Sequence, residues 1–331
     1  MSNFQRSPTR FDQRRGAPKA PAPVDLEKEQ ERSDRLRGVV LQVHAVQWDV
    51  LVSSEVIRCV VKRTLKDREG LPVVGDEVLL EPPMTGMSRI VAILPRRQVL
   101  LRPDVHQGRA AQVLAANLDQ VLITASVAQP ALNPGLVDRY LLAAWKLGIQ
   151  PLLAITKLDL PTDEDTDALL QDLEALKVPI LRTSVPNREG LETLLDVLEG
   201  HTTAMVGLSG VGKTSLARVL LKDPSLEIGE VSASTGKGRH TTSSARLLPL
   251  PDGRAGFLID MPGQRVFGLT ELTQADLLRG FPELADAPSC QYPECRHAEE
   301  AGCAVRAALE EGSLSERRYQ ALCRLSESLR E

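Results

Sequence analysis

A chain of three unlike parts is predicted: a small N-terminal β-barrel, a central doubly wound α/β domain, and a C-terminal helical domain stapled by a metal. Three observations predict it. Four short β-like runs fall within about sixty residues between Arg37 and Pro95. Strand-length and helix-length apolar segments then alternate around a glycine-rich loop at 207–214. Finally, three cysteines and a histidine crowd into 290–303 at ligand spacing.

Residues 1–35 are rich in Pro, Arg, Gln and Glu and poor in apolar residues, which predicts a disordered basic tail. Up to Val24 it holds Arg6, Arg10, Arg14, Arg15 and Lys19 against one acid, Asp12. A basic arm for RNA and a solvated tail without a role both fit. The barrel, 36–100, is expected from Gly38–Val43, Val56–Val61, Asp76–Leu80 and Arg89–Ile93, with a turn at Val74-Gly75-Asp76. The most economical closure of so few strands is an OB-fold, a barrel that often binds RNA. Trp48 is its only aromatic residue. Any RNA contact would therefore use backbone and shape rather than a stacking platform. A purely structural barrel is the alternative.

The central domain is expected over 104–280. Residues 207–214 read Gly-Leu-Ser-Gly-Val-Gly-Lys-Thr, matching G-x-x-x-x-G-K-[ST] at every fixed position. Thr202–Val206 leads in as a strand, and Ser215–Leu221 follows with apolar residues at helical spacing. Gly207, Gly210 and Gly212 permit close approach of phosphates, and the backbone of Ser209 and Val211 joins the cradle. Lys213 would bridge the β- and γ-phosphates, and the hydroxyl of Thr214, beside Ser215, would hold Mg²⁺. A strand at Ala255–Ile259 closes on Asp260-Met-Pro-Gly263, a D-x-x-G pattern. Asp260 would hold Mg²⁺ through water, and the Gly263 N–H would sense the γ-phosphate.

The apolar run Leu152–Ile155 ends in Thr156-Lys157-Leu158-Asp159, which resembles the [N/T]-K-x-D signature of GTPases. One carboxylate can accept two hydrogen bonds from the guanine ring N–H and amine. Adenine offers neither donor there, so Asp159 selects GTP over ATP. The Lys157 stem would pack along the base. Thr156 stands where Asn is usual, and its shorter hydroxyl is expected to support the loop less well. Thr183-Ser184-Val185 resembles the S-A-x segment whose backbone reaches the guanine oxygen, with Val185 replacing Ala. These base-reading segments precede the phosphate loop, whereas in an ordinary GTPase they follow it. The order predicts a circularly permuted domain, which domains tolerate when their ends lie close. Around the motifs, a strand is expected at Asn117–Ser126 and helices at Leu136–Leu147, closed by Gly148, and at Thr166–Lys177. The run 229–244 lacks apolar periodicity and is expected to be a mobile switch whose Thr241 or Thr242 reaches Mg²⁺.

Cys290, Cys295, His297 and Cys303 form C-x4-C-x-H-x5-C. Three thiolates and an imidazole close a tetrahedral zinc site with no open position, so the zinc would be structural. This domain, 281–331, should continue as helices at Ala304–Glu311 and Ser315–Arg330. The other cysteines, Cys59 and Cys323, are far apart in sequence, and a total of five cysteines without a secretory signal argues against a disulfide framework. The chain is 42% hydrophobic and 25% charged, with a net charge of −4. It has no apolar run near membrane-spanning length and no secretory signal, so a cytoplasmic location is expected. The charge gives no global pull toward nucleic acid, and such binding would need local patches.

Barrel, permuted GTPase and zinc knob together resemble the ribosome small subunit-dependent GTPase A proteins of bacteria. The likeness spans roughly 37–325 and is most specific at 207–214, at Gly-Arg-His-Thr-Thr (238–242), at Asp260–Gly263 and at the zinc ligands. Gly302-Cys-Ala-Val305 and Arg318-Tyr319 add to it. The resemblance implies a monomeric, late-acting assembly factor of the small ribosomal subunit. Its barrel and zinc domain would contact rRNA, the subunit would stimulate hydrolysis of GTP to GDP and phosphate, and hydrolysis would favour release. His240 matches the switch histidine proposed in that family to orient the attacking water. Gln264 departs from the family's apolar residue after D-x-x-G and is the type that does this in ordinary GTPases. Two other classes remain open at this point: an RNA-binding adaptor whose nucleotide site is only structural, and an ATP-dependent enzyme. Intact Lys213, Thr214 and Asp260 weigh against the first, and Asp159 against the second.

Overall fold

The computed structural model describes residues 32, 34–66, 70–82, 87–102, 112–162, 164–176, 178–224, 226, 245–260, 274–292 and 295–328. Residues 1–31 of the tail, the switch 229–244 with His240, Thr241 and Thr242, and Gly263 and Gln264 lie outside the described residues.

Five strands form the barrel: β1 (Leu36–Val43), β2 (Trp48–Val52), β3 (Glu55–Val61), β4 (Glu77–Glu81) and β5 (Ser88–Ile93). A short helix, α1 (Arg63–Lys66), follows β3. Pairing runs β1-β2-β3-β5-β4 and returns from β4 to β1, so the sheet closes on itself. Only β3 and β5 pair in parallel. Val40, Val50, Cys59, Val78, Leu80 and Ile90 fill the interior with Trp48. The Trp48 indole donates to the Pro72 carbonyl at 2.9 Å. The barrel's one aromatic side chain is therefore spent inside. The expected strands appear within a residue or two, and β2 is an addition.

A hairpin not foreseen in the sequence, β6 (Val99–Arg102) with β7 (Gln112–Ala116), joins barrel to centre. The Ala116 N–H donates to Val74 O at 2.9 Å, and Asn117 Nδ2 donates to Gly75 O at 3.0 Å. Gly75 has φ +86°, and a Cβ there would lie 2.2 Å from Ala116 O, so the junction requires glycine. The strand expected from Asn117 begins three residues later, because Asn117 itself takes a left-handed φ of +58°.

The central sheet is ordered β10-β9-β8-β11-β13-β12, from β8 (Gln120–Ser126), β9 (Gln150–Thr156), β10 (Ile180–Arg182), β11 (Thr202–Val206), β12 (Arg246–Pro249) and β13 (Phe257–Asp260). All neighbours are parallel except β12, which runs antiparallel to β13. Helices α2 (Pro134–Lys146) and α3 (Glu164–Ala175) cover one face, and α4 (Leu191–Leu198) and α5 (Lys213–Leu220) the other. Val121 and Ile123 of β8 therefore join one apolar cluster while Leu122 joins the second. Burial on both faces is why these strands read as unbroken apolar runs. β12 also meets the barrel, with Gln42 of β1 opposite Arg246, and Val39, Leu41 and Val43 pack onto the central core.

The C-terminal part comprises α6 (Gln274–Arg279), a 3₁₀ turn at Pro282–Leu284, α7 (Ala304–Glu310) and α8 (Glu316–Ser328). Leu277, Phe281, Val305, Leu322 and Leu325 form its core with Leu142 of α2. A buried ionic network ties it to α2. Asp138 accepts from Arg317 at 2.9 Å and Arg318 at 2.8 Å, and Arg318 also pairs with Glu283 at 2.7 Å. Its guanidinium lies 4.1 Å from the centre of the Phe281 ring. No helix among the described residues is long and apolar enough to cross a membrane.

Candidate functional site

β11 occupies the middle of the central sheet, and the glycine-rich loop leaves its carboxyl end, where open α/β sheets place ligands. Gly207 has φ +147°, and a Cβ there would sit 2.2 Å from Thr124 O of β8. Gly210 and Gly212 also have positive φ, and Gly212 leads directly into α5. Lys213 is buried, and its Nζ donates to Gly207 O at 2.9 Å and Leu208 O at 2.6 Å. The ammonium thus lies folded over its own loop, where a phosphate would be cradled. Thr214 and Ser215 follow in the first turn of α5, half-buried, while Ser209 is exposed and Val211 buried.

The loop after β9 is fastened to this one across 55 residues of sequence. Thr156 is 3% exposed, and its hydroxyl donates to Val211 O at 2.6 Å. Lys157, at φ +62°, donates from Nζ to Gly210 O at 2.8 Å and to Gln129 O. Burial pushes the Lys157 ammonium below its usual pKa, and the Asp159 carboxylate partly offsets this. Asp159 itself is exposed. Its Oδ1 accepts from the hydroxyl of fully buried Ser184 at 2.8 Å. The loop carrying Ser184 and Val185 closes through a bridge between Ser184 and Glu189, and Gly190 fits only as glycine against Arg182 O. The segments expected to read the base and to bind phosphate, separated in sequence, thus form one hydrogen-bonded rim.

Two details of the rim were not written in the sequence. The Thr156 hydroxyl, expected to support the loop less well than Asn, reaches the phosphate-loop backbone directly. Gln129 enters the site through its carbonyl, which no residue pattern announced. Of the remaining expected residues, Asp260 ends β13 in register with Met205 of β11, next to the phosphate loop. Thr156→Val should leave Val211 O buried without its donor. The expected loss is about 1–3 kcal/mol, or roughly 5- to 150-fold in nucleotide affinity. Titration with a fluorescent guanine nucleotide would read it, and Thr156→Asn should restore binding. Unchanged affinity in the valine variant would remove the strut from the site.

In the C-terminal part, the ligand atoms of Cys290, Cys295, His297 and Cys303 all lie within 4.8 Å of one another. His297 Nδ1 is 3.6 Å from the Sγ of both Cys290 and Cys303. Zn–S and Zn–N bonds at a tetrahedral angle would place these atoms about 3.5 Å apart, so the donor set fits zinc. Local backbone builds the cluster. His297 has φ +63° and Gly302 φ +70°, the Gln291 N–H donates to Gly302 O, and Tyr319 Oη donates to His297 O at 2.6 Å. The Arg306 N–H points at Cys303 Sγ, 3.5 Å away, where it would favour a thiolate.

Known proteins match this arrangement. The family profile described as RsgA GTPase matches residues 93–270. A Pseudomonas putida (strain F1) protein named small ribosomal subunit biogenesis GTPase RsgA is 39% identical over 298 residues, covering 89% of this chain and 84% of that protein. Among solved structures, YjeQ from Thermotoga maritima superposes with a TM-score of 0.71 at 29% identity, covering 89% of this chain and 98% of that one. YloQ, described as a circularly permuted GTPase, gives 0.69 at 25% identity, covering 91% and 96%.

Proposed function

The chain belongs to the RsgA GTPase family, and from that premise we propose that it is a maturation factor of the small ribosomal subunit whose GTP hydrolysis the subunit stimulates. That it hydrolyses GTP follows from the family. The observation that carries the nucleotide-site reading is the fastened rim: Thr156 and Lys157 bond to Val211 O and Gly210 O, so that one hydrogen-bonded unit would read base and phosphates. The subunit as partner is supported by the names of relatives covering most of the chain.

In this reading Asp159, oriented by Ser184, accepts from guanine, and the Ser184–Val185 backbone faces the guanine oxygen. The backbone of 207–214 and Lys213 hold the phosphates and meet the charge that develops as the γ-phosphoryl group leaves. Thr214 stands in the first turn of α5 and Asp260 ends the strand beside β11, a pairing that suits Mg²⁺, which would neutralise phosphate charge. Thr241 or Thr242 adds a ligand from the switch, and the Gly263 N–H senses the γ-phosphate. His240 orients the attacking water, with Gln264 contributing. The barrel (36–100) and the zinc-held helical domain (281–331) flank the GTPase domain (104–280) and contact rRNA. The protein works as a cytoplasmic monomer with one structural zinc.

Phosphate release from GTP, with ATP as control, tests this with and without purified small subunits. The expected result is slow GTP-specific turnover raised many-fold by subunits, with His240→Ala losing most of the stimulated rate and Gln264→Ala losing less. A rate indifferent to subunits would remove the ribosomal assignment and leave the GTPase.

A further inference from the structure

A groove of about 260 Å³ runs between the start of α2 and α8. One wall belongs to the GTPase domain and carries Asp138 and Arg139. The other belongs to the C-terminal domain and carries Arg324 and Leu325. Among the described residues Asp138 is the only acid lining it, and both its oxygens are taken by Arg317 and Arg318. Arg139 and Arg324 are exposed and make no ion pair or hydrogen bond among the described residues. On α8, Glu316 is engaged with Gln320, and Glu327 lies outside the groove lining. The groove thus concentrates two uncompensated cations on a chain whose net charge is −4. Its walls are held together beneath by the Asp138–Arg317/Arg318–Glu283 network, which fixes the domain-to-domain approach.

Two planar guanidinium groups on facing walls suit phosphate oxygens, which Arg engages through two parallel N–H donors. That volume is far above the roughly 10–15 Å³ that one water needs, which leaves room for more than a lone phosphate. Leu136, Ala321 and Leu325 add apolar surface against which a sugar can lie. We propose that this groove grips the RNA backbone, with Arg139 and Arg324 binding phosphates from the two domains at once. The proposal rests on the small-subunit reading above and names a surface for it that lies outside the barrel and the zinc loop. Phosphate contacts carry no base information, so the groove would set register and orientation rather than sequence preference.

The test uses full-length Arg139→Gln/Arg324→Gln protein. Its affinity is measured for purified small subunits and for deproteinised subunit rRNA, between 50 and 200 mM salt, with a non-hydrolysable GTP analogue present. Each lost phosphate contact should lower the slope of log K against log salt by about 0.7–0.9. A drop of about 1.4–1.8 and affinity weaker by about tenfold or more are therefore expected on both targets. Basal GTP hydrolysis should be unchanged, and Arg139→Lys/Arg324→Lys should recover most binding. Wild-type binding with no change in the glutamine variant overturns the groove but leaves the ribosomal reading intact. Loss on intact subunits with none on bare rRNA overturns it too, in favour of an acidic ribosomal protein. Wild type that binds neither target overturns both readings. Should the double variant also lose basal hydrolysis, Arg324→Gln alone decides, with an expected slope change near 0.7–0.9.

Discussion

Asp159→Ala is expected to weaken GTP and GDP binding by about 10²- to 10⁴-fold while leaving the weak binding of ATP nearly unmoved. The magnitude comes from two hydrogen bonds to a charged acceptor, each worth about 1.5–3 kcal/mol, converted at about 1.4 kcal/mol per decade. Geometry makes the estimate apply here. Asp159 is not a free surface acid, because buried Ser184 fixes one of its oxygens at 2.8 Å and the Asn187 N–H in turn bonds Ser184 Oγ. The carboxylate is thus preoriented, and little ordering cost offsets its bonds to the base. Asp159→Asn supplies the informative contrast. An amide can donate where the carboxylate only accepted, so it should favour a xanthine nucleotide, whose C2 bears a carbonyl in place of the amine. Competition against a labelled guanine nucleotide by GDP, ADP and xanthosine diphosphate reads all three. A GTP-to-ATP preference that survives Asp159→Ala would place the base outside this loop.

Much of this site was legible because its demands are local. Gly207 must be glycine for a reason visible in the motif, and the structure supplies the atom, Thr124 O, that enforces it. The reordered motifs pointed to the permutation, and the parallel run of β10, β9, β8 and β11 puts the loops expected to read the base at the same carboxyl end of the sheet as the glycine-rich loop. What the sequence hid depends on partners distant in the chain. β2 contains Asp49, a poor strand residue, yet it stands opposite Arg58, pairs with it at 2.6 Å and meets His44 at 2.8 Å. Together these partners hold the Asp49 carboxyl below its usual pKa, Arg58 contributing most. β12 is four residues long and ends at Pro249, so only its pairing with β13 identifies it. Thr156 looked like a weakened asparagine for the same reason. Its value lies in Val211 O, 55 residues away. The groove holding Arg139 and Arg324 has no motif at all, since its walls come from positions about 180 residues apart, tied by a buried ionic network and a shared apolar core.

Zinc removal is expected to have the largest effect on stability, and to act on one part of the molecule. The C-terminal part is small, and a core of that size stabilises a fold only marginally without a staple. Its apolar cluster is continuous with the ligand set, since Cys295 and Cys303 pack with Phe281, Val305 and Leu322. A structural zinc contributes an apparent 10–16 kcal/mol or so, far more than that core can replace. Cys303→Ser is the discriminating variant. Cys303 is also the N-cap of α7, accepting from the Arg306 N–H, and serine keeps a capping oxygen while being a poor zinc ligand. Its effect therefore reports the metal rather than the cap. Wild type should purify with one zinc per chain and the variant with substantially less. In the variant or after chelation, amide exchange should rise through 281–328, and the Asp138–Arg318–Glu283 tie should fail with it. Guanine-nucleotide binding should persist, because every hydrogen bond of the rim lies within the central domain. Stimulation by small subunits should be lost. If the wild-type chain carries no metal and its C-terminal amides stay protected in chelator, then the cluster is a set of buried thiols, and its 3.6 Å spacings need another cause.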